Sequence, residues 1–480
     1  SIDQGTWVLT SYLVSNAIVL PLGAWASSVM GRRNFFLICI VIFTVSSFLC
    51  GIAPTLPLLI LFRVLQGAGG GGLQPMAQAI MADSFEPHKR GQAFALYGLV
   101  AVLAPSIGPT LGGWITDNYS WHWIFFINIP FGILSLTLVQ WMLVEPEVLE
   151  RERRERLSRG LRIDWLGFIL VALALGCLEI VLDRGQEDDW FHSQFIVTFA
   201  VISAASFVFL FAWELTRDDP IVDLRLLLGR QFGTSFLVMM AVGAVLFAST
   251  QIVPQLLQTN YAYTAYLAGL SMMAGGVAML VMMPVSGALS SRVQPKYMMA
   301  AGMGIVALAM WHMTSLVPNA SFDFFSWGRV FQMLGLPLLF IPINIAAYAG
   351  LGPEHTNQAS ALINVARNLG GSIGISLANT EIAQRSQFHQ ARLVEHVYPS
   401  SLAYKHTVQQ MTDYFIAQGS SLAQAQGQVI GWIGQMVENQ AALLAYIDVF
   451  RQAALFAAIM VPLVLLLLRP VDQKAAPVAH

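Results

Sequence analysis

The sequence predicts an all-α protein that crosses a membrane many times, and three observations carry that reading. Of its 480 residues, 56% are hydrophobic and 11% charged, with a mean hydropathy of +0.63; a soluble domain carries about 25% charged residues. Thirteen apolar segments follow one another, most of them near the length needed to span a hydrocarbon core of ~30 Å at ~1.5 Å per residue. The basic residues gather in alternate connections between those segments, as they do where one set of loops faces the cytoplasm.

The segments run over 7–28, 35–53, 57–82, 92–114, 123–144, 164–182, 193–215, 232–254, 265–289, 297–317, 326–350, 359–382 and 448–468. One set of alternate connections, with the C-terminal tail, holds 17 of the 25 Lys and Arg residues, among them Arg32, Arg33 and six arginines in 151–162. The opposite set holds four, Arg184, Arg385, Arg392 and Lys405. The rich set is expected to be cytoplasmic, with the N-terminus outside, the C-terminus inside and the polar stretch 383–447 outside. In the charged connection 145–163, Glu150 and Arg154 stand at i,i+4, which predicts a short solvated helix.

A net charge of −2 excludes a basic nucleic-acid surface. Cys39, Cys50 and Cys177 lie in apolar runs without metal-ligand spacing, and His389, His396 and His406 are too irregularly placed for a metal site. No phosphate-binding loop or nucleophile–base constellation is present. No catalytic residue, metal or cofactor is therefore expected.

The stretch Leu59–Gly72, LILFRVLQGAGGGG, sets Arg63, Gln66 and five glycines inside an apolar segment. A charge there costs roughly 2.5–3.5 kcal/mol on insertion scales, so either function retains Arg63 or it snorkels to the interface. Glycines in a membrane helix let two backbones approach closely. The chain also repeats itself. At an offset of 266 residues, Arg63, Val64 and Gln66 recur as Arg329, Val330 and Gln332, and Gln92, Ala93 and Ala95 as Gln358, Ala359 and Ala361. Both arginine segments run in the same direction, as parallel repeats of helical halves require.

On these residues the chain resembles the major facilitator superfamily, and most closely its fourteen-helix drug:proton antiporters of the EmrB-like kind. Arg63-x-x-Gln66-Gly67 resembles the family's fourth helix. Gly23–Arg33, GAWASSVMGRR, resembles its cytoplasmic gating loop, with Gly23, Gly31, Arg32 and Arg33 in place and Ser27 where an aspartate is usual. Gly98–Gly113, GLVAVLAPSIGPTLGG, resembles the antiporter signature. There Pro105 and Pro109 are expected to kink the helix, and Gly108, Gly112 and Gly113 to permit tight packing, with Gly98 opening the motif. Trp121–Pro130, Leu182–Gly185 and Pro220–Leu226 are further markers, as is Asn364-x-x-Arg367 with Gly370, Gly371 and Gly374.

The resemblance implies two six-helix bundles with two inserted helices: an N-terminal bundle over 1–144, a linker with the inserted pair over 145–230, and a C-terminal bundle over 231–480 that includes an outer loop at 385–447. Thirteen spans instead of fourteen and the missing initiator methionine lead us to expect that the family's first helix is absent. The implied function is export of hydrophobic or amphipathic drugs in exchange for protons. It is set in the inner membrane of a bacterial cell, with a periplasmic membrane-fusion adaptor and an outer-membrane channel as partners beside the lipid bilayer. An importer or facilitator of a defined metabolite is the alternative.

Arg63 and Glu179 are the proton-coupling candidates, Glu179 having an interfacial role as its alternative. Arg329, the repeat partner of Arg63, is expected to matter less. By depth, Gln66, Gln251, Asn344, Tyr348 and Asn364 are the substrate-binding candidates. In the outer stretch, Leu422, Val429, Ile430, Ile433 and Met436 recur at helical spacing, which predicts a folded amphipathic helix.

Overall fold

Every regular element among the described residues of the computed structural model is a helix. The structure describes residues 2–86, 90–145, 150, 151, 153, 154, 158, 164–217 and 220–470, with the backbone alone at 2–6, 90, 91, 99–107, 109, 110, 117, 353 and 354. The long helices are α1 (Ile2–Met30), α2 (Arg32–Gly51), α3 (Leu56–Ser84), α4 (Arg90–Asn118), α5 (Asn128–Met142), α6 (Trp165–Arg184) and α7 (Gln194–Thr216). After them come α8 (Arg230–Asn260), α9 (Ala265–Leu289), α10 (Pro295–Met313), α11 (Phe322–Gly335), α12 (Pro337–Tyr348), α13 (Pro353–Val394), α14 (Leu402–Ala417) and α15 (Leu422–Leu467).

Each predicted apolar segment is helical over most of its length, and among the described residues ten spans meet the length and apolarity needed to cross a membrane. The predicted segment 326–350 is carried by α11 and α12, which meet at Leu336 just before Pro337. Proline has no amide hydrogen to continue the helical ladder, and the break falls where it stands.

The glycines of α3 are explained by its neighbours. A Cβ on Gly69 would lie 2.6 Å from the Phe43 nitrogen of α2, and one on Gly71 would lie 2.8 Å from the Asn16 carbonyl of α1. Positions two residues apart on one helix thus serve two close crossings, and any side chain would force a helix away. In the second half α13 packs on α8 in the same manner. There a Cβ on Gly370 or Gly374 would run into the backbone at Met240 or Ala244.

Helices α1–α3 and α5 pack as one group, with α4 beside α3, and α8–α13 with α15 as another. The groups meet along two seams, α4 against α9 and α1 with α3 against α13. The inserted α6 and α7 pair with each other, and α6 lies against both α1 and α13. In the linker, Arg154 donates to Glu150 at 2.7 Å, the expected i,i+4 pair, and that bond holds the Glu150 carboxyl below the usual carboxylate range.

Two expectations need correction. The supposed gating loop is almost entirely helical: α1 continues to Met30, α2 starts at Arg32, and Gly31 alone turns the chain, at φ +88°. Gly23 is buried inside α1 against the Phe35 ring, so only Gly31 has the role of a turn glycine.

The outer stretch differs as well. Its amphipathic helix and the last span are one element, α15, whose 46 residues give about 69 Å of continuous helix. Its buried stripe is Ala425, Val429, Ile433, Val437 and Ala441, whereas Leu422, Ile430 and Met436 are exposed. Helix α15 packs there against α13 and α14, and the buried Val429 and Ile433 are the two of the expected apolar positions that face inward.

Candidate functional site

A cavity of about 420 Å³ lies where the two groups and the inserted helix α6 converge. Tyr12 and Asn16 of α1 reach it, with Gln74 of α3 and Glu179 of α6. The second group contributes Thr250, Arg329, Arg367, Asn368 and Ser372. Phe43, Phe247 and Phe340 form much of the apolar lining.

Glu179 is buried, and Ser372 of α13 donates its hydroxyl to it at 2.7 Å. This bond joins an inserted helix to the second group at the cavity wall. Arg329 is 3% exposed; it donates to Gln332 Oε1 at 2.8 Å and to Thr250 Oγ1 at 2.9 Å. Arg367 donates to Asn364 Oδ1 at 2.8 Å and, across the seam, to Gln74.

The seam closes one end of the cavity. Ser360 donates to the Pro75 carbonyl at 2.7 Å and Asn364 donates to Gln78 Oε1 at 2.6 Å, both fully between α3 and α13. Every member of this network is a neutral amide, hydroxyl or carbonyl apart from Arg367, so separation replaces hydrogen bonds without splitting an ion pair.

Arg63 occupies a different environment. Its Nη1 donates to Gln66 Oε1 at 2.7 Å, its Nε donates to the Val8 carbonyl at 3.0 Å, and its guanidinium sits 4.3 Å from the Tyr12 ring centre. Gln66 passes the contact on to Ser47 Oγ at 2.5 Å. Arg329, Gln332 and Ser249 repeat this chain in the second half, with the Gln332–Ser249 bond at 2.6 Å. The structure therefore sets Arg329 on the cavity and Arg63 behind Tyr12, the reverse of the emphasis that the sequence suggested.

None of the five substrate-binding candidates lines the cavity. Gln66 is committed to Arg63, Gln251 is on an exposed face of α8, and Asn344 donates back to the Phe340 carbonyl at 2.7 Å. Tyr348 is buried against Phe94, the rings stacked 5.7 Å apart, and Asn364 belongs to the seam. Depth along a helix was legible in the sequence, but the face was not. Thr250, Phe340 and Asn368, one position or one turn away, point inward instead.

In the antiporter-like helix α4, the Pro105 and Pro109 side chains fall outside the described residues. A Cβ on Gly98 would lie 2.5 Å from Met283 Cε, so this glycine is where α4 meets α9 closely. Gly108 and Gly112 have no described heavy atom within 4 Å of such a Cβ, and Gly113 meets Ala265 at an ordinary 3.6 Å. The tight packing expected at these three is centred on Gly98. At the α1–α2 turn, Arg32 pairs with Asp83 of α3 and its backbone N–H donates to Glu145 at 2.9 Å. Arg33 donates to the Gln140 carbonyl at 2.7 Å, and Ser27 only to its own helix. Asp83 thus provides a carboxylate that Ser27 lacks.

Two helical groups that both line a mixed-polarity cavity at their meeting are the construction of a secondary transporter, with its site between repeated halves. The chain belongs to the Major Facilitator Superfamily, which it matches over residues 1–375. It is 36% identical over 455 residues to the multidrug export protein EmrB of Escherichia coli (strain K12), covering 95% of this chain and 86% of that protein. It is 33% identical over 459 residues to the EmrB of Haemophilus influenzae, covering 95% and 86%. Among solved structures, the human organic anion transporter MFSD10 shares the fold, with a TM-score of 0.56 at 15% identity over 94% of this chain and 83% of that one.

Proposed function

We propose that this transporter exports hydrophobic and amphipathic drugs by alternating access, in exchange for protons. The observation that carries the reading is the cavity itself: it draws on both halves, is mostly apolar, and holds Glu179, a buried carboxylate on the inserted helix. The resemblance to proteins named for multidrug export supplies the direction of transport.

In this scheme Glu179 carries the exchanged proton, and Arg63 sets the field on the first-half side through Tyr12, which separates it from the cavity. Alternate opening proceeds through the neutral α3–α13 seam at one end. The five candidates at Gln66, Gln251, Asn344, Tyr348 and Asn364 then support the lining from behind. Domain boundaries near 144 and 230 separate the first bundle, the inserted pair and the second bundle. With the basic-rich connections cytoplasmic, α14 and the free half of α15 would lie in the periplasm, where a membrane-fusion adaptor would dock and lead to an outer-membrane channel.

Dye efflux in everted inner-membrane vesicles tests this reading. Energised vesicles should accumulate dye, stop when an uncoupler is added, and lose the response in Glu179→Gln. Dye movement that ignores the uncoupler, or runs only toward the cytoplasmic side, would sink it.

A further inference from the structure

A second cavity, of about 570 Å³, is a groove where α8, α13 and α15 meet. It shares no lining residue with the first: α8 gives Leu246, Phe247 and Thr250 to one, and Val245, Ala248 and Ser249 to the other. Its floor is buried at Val238, Ile252, Met310, Phe450 and Val464, while Leu237, Leu377 and Phe456 on its rim are exposed. The hollow follows from sequence, since Ala241, Ala244 and Ala248 leave one side of α8 without bulk. Both α8 and α15 are long and apolar enough to cross a membrane. A groove open along the flank of two such spans is open to acyl chains, and an unfilled apolar wall forfeits its dispersion contacts.

The two ends of the groove differ in charge. At one end Thr234 and Leu467 on the lining both touch Arg230: the Thr234 hydroxyl donates to its carbonyl at 2.6 Å, and its Nε donates to the Leu467 carbonyl at 3.0 Å. Arg469 lies beside them, its backbone N–H donating to Gln231 Oε1 at 3.1 Å. Both arginines are exposed, and neither pairs with a carboxylate among the described residues. At the other end stands Glu381, the one charged side chain on the lining, already paired with Arg385 at 2.7 Å. An anionic headgroup is therefore attracted to the arginine end alone. From Thr234 to Ala244 is ten positions of helix, about 15 Å, which is half of a hydrocarbon core of ~30 Å.

We infer that the groove is a binding site for an anionic phospholipid of the surrounding bilayer, with its phosphate at Arg230 and Arg469 and one acyl chain running past Ala241 toward Leu377. Basic pockets between membrane helices hold acidic headgroups, and each cation near the surface is worth a factor of about five in affinity. The bound chain would wedge α15 against the α8–α13 pair from the side opposite the first cavity.

Native mass spectrometry of the purified full chain, released from neutral detergent, tests this with palmitoyl-oleoyl phosphatidylglycerol and the phosphatidylcholine of the same chains. The first phosphatidylglycerol should bind at least about tenfold more tightly than the first phosphatidylcholine. Arg230→Gln and Arg469→Gln together should reduce that preference to about twofold. Ala453→Trp, which fills the groove from α15, should weaken both lipids at least about fivefold. If the double variant does not fold, Arg469→Gln alone should still reduce the preference about threefold, because its contact to Gln231 is made by the main chain. Equal affinity for the two lipids in the wild type overturns the inference, as does a preference that survives loss of the arginines. Unchanged binding in a folded Ala453→Trp places the lipid outside the groove and overturns it too. Oleate binding more tightly than phosphatidylglycerol would make the groove a fatty-acid site instead.

Discussion

Asn364 and Gln78 are buried amides on opposite sides of the seam between halves, and Asn364 Nδ2 donates to Gln78 Oε1 at 2.6 Å. With Ser360 on the Pro75 carbonyl and Arg367 on Gln74, they are the principal polar contacts between α3 and α13. A seam that opens in each cycle needs bonds that water can replace at low cost, and neutral amides meet that requirement.

Gln78→Leu removes the acceptor and leaves Asn364 under-satisfied, which costs the closed seam about 1–3 kcal/mol. The cavity should then open more often. With Cys39, Cys50 and Cys177 replaced by serine and a cysteine placed at Asn368, maleimide labelling should accelerate by roughly fivefold or more. An unchanged rate would show that the seam does not gate the cavity.

Arg63→Ala should abolish uncoupler-sensitive efflux while the protein still inserts, because it removes the charge that Tyr12, Gln66 and the Val8 carbonyl enclose. Arg63→Lys should keep part of the activity, since the charge survives but the planar fork that serves Val8 and Gln66 together does not. Normal efflux by Arg63→Ala in vesicles would reduce Arg63 to a packing residue.

Much of the fold was legible, because a span announces itself by length and apolarity and Arg63 and Arg329 exposed the repeat. The site was less so. Gln251 and Thr250 are adjacent and equally deep, yet one is exposed and the other lines the cavity. Helices that are apolar all round hide their inward face, since lipid and core accept the same side chains. What the sequence did contain was Arg367, in the Asn364-x-x-Arg367 marker, and Arg329, in the repeat. Of the repeated pair, Arg329 reaches the lining while Arg63 stays behind Tyr12, so the repeat marked one lining residue that depth did not.

Gly374→Leu should abolish folded protein, because its side chain would have to enter the α8 backbone at Ala244. Gly434→Leu should be tolerated, as nothing lies within 4 Å of a Cβ there. Size-exclusion profiles of fluorescent fusions will separate the two, and a monodisperse Gly374→Leu would contradict the close α8–α13 crossing.

The buried stripe of α15 makes an opposite pair of predictions at adjacent residues. Val429 is fully buried and Ile430 is 65% exposed. Val429→Asp should lower the apparent Tm or make the outer hairpin protease-sensitive, since an unpaired buried carboxylate costs several kcal/mol (about 3–5). Ile430→Asp should change neither. Equal sensitivity at both positions would show that the helix has another buried face.

The outer hairpin offers the last prediction. Its base is fastened by His389 to Asp448 at 2.8 Å, and by Arg385 and Gln452 to Glu381 at 2.7 and 2.8 Å. Deleting Gln390–Gln440 behind a short flexible linker leaves all of these residues in place, so α13 and the membrane part of α15 should remain packed. The deletion removes the exposed apolar Ile430, Trp432 and Met436, the surface best suited to a docking partner. Drug resistance of whole cells should therefore fall to the level of cells lacking the transporter, while dye transport in everted vesicles stays within about twofold of wild type. Loss of both would make the hairpin a lid that belongs to the transport cycle. Retention of both would mean that it neither caps the exit nor receives a partner, and the proposed adaptor contact would have to lie elsewhere.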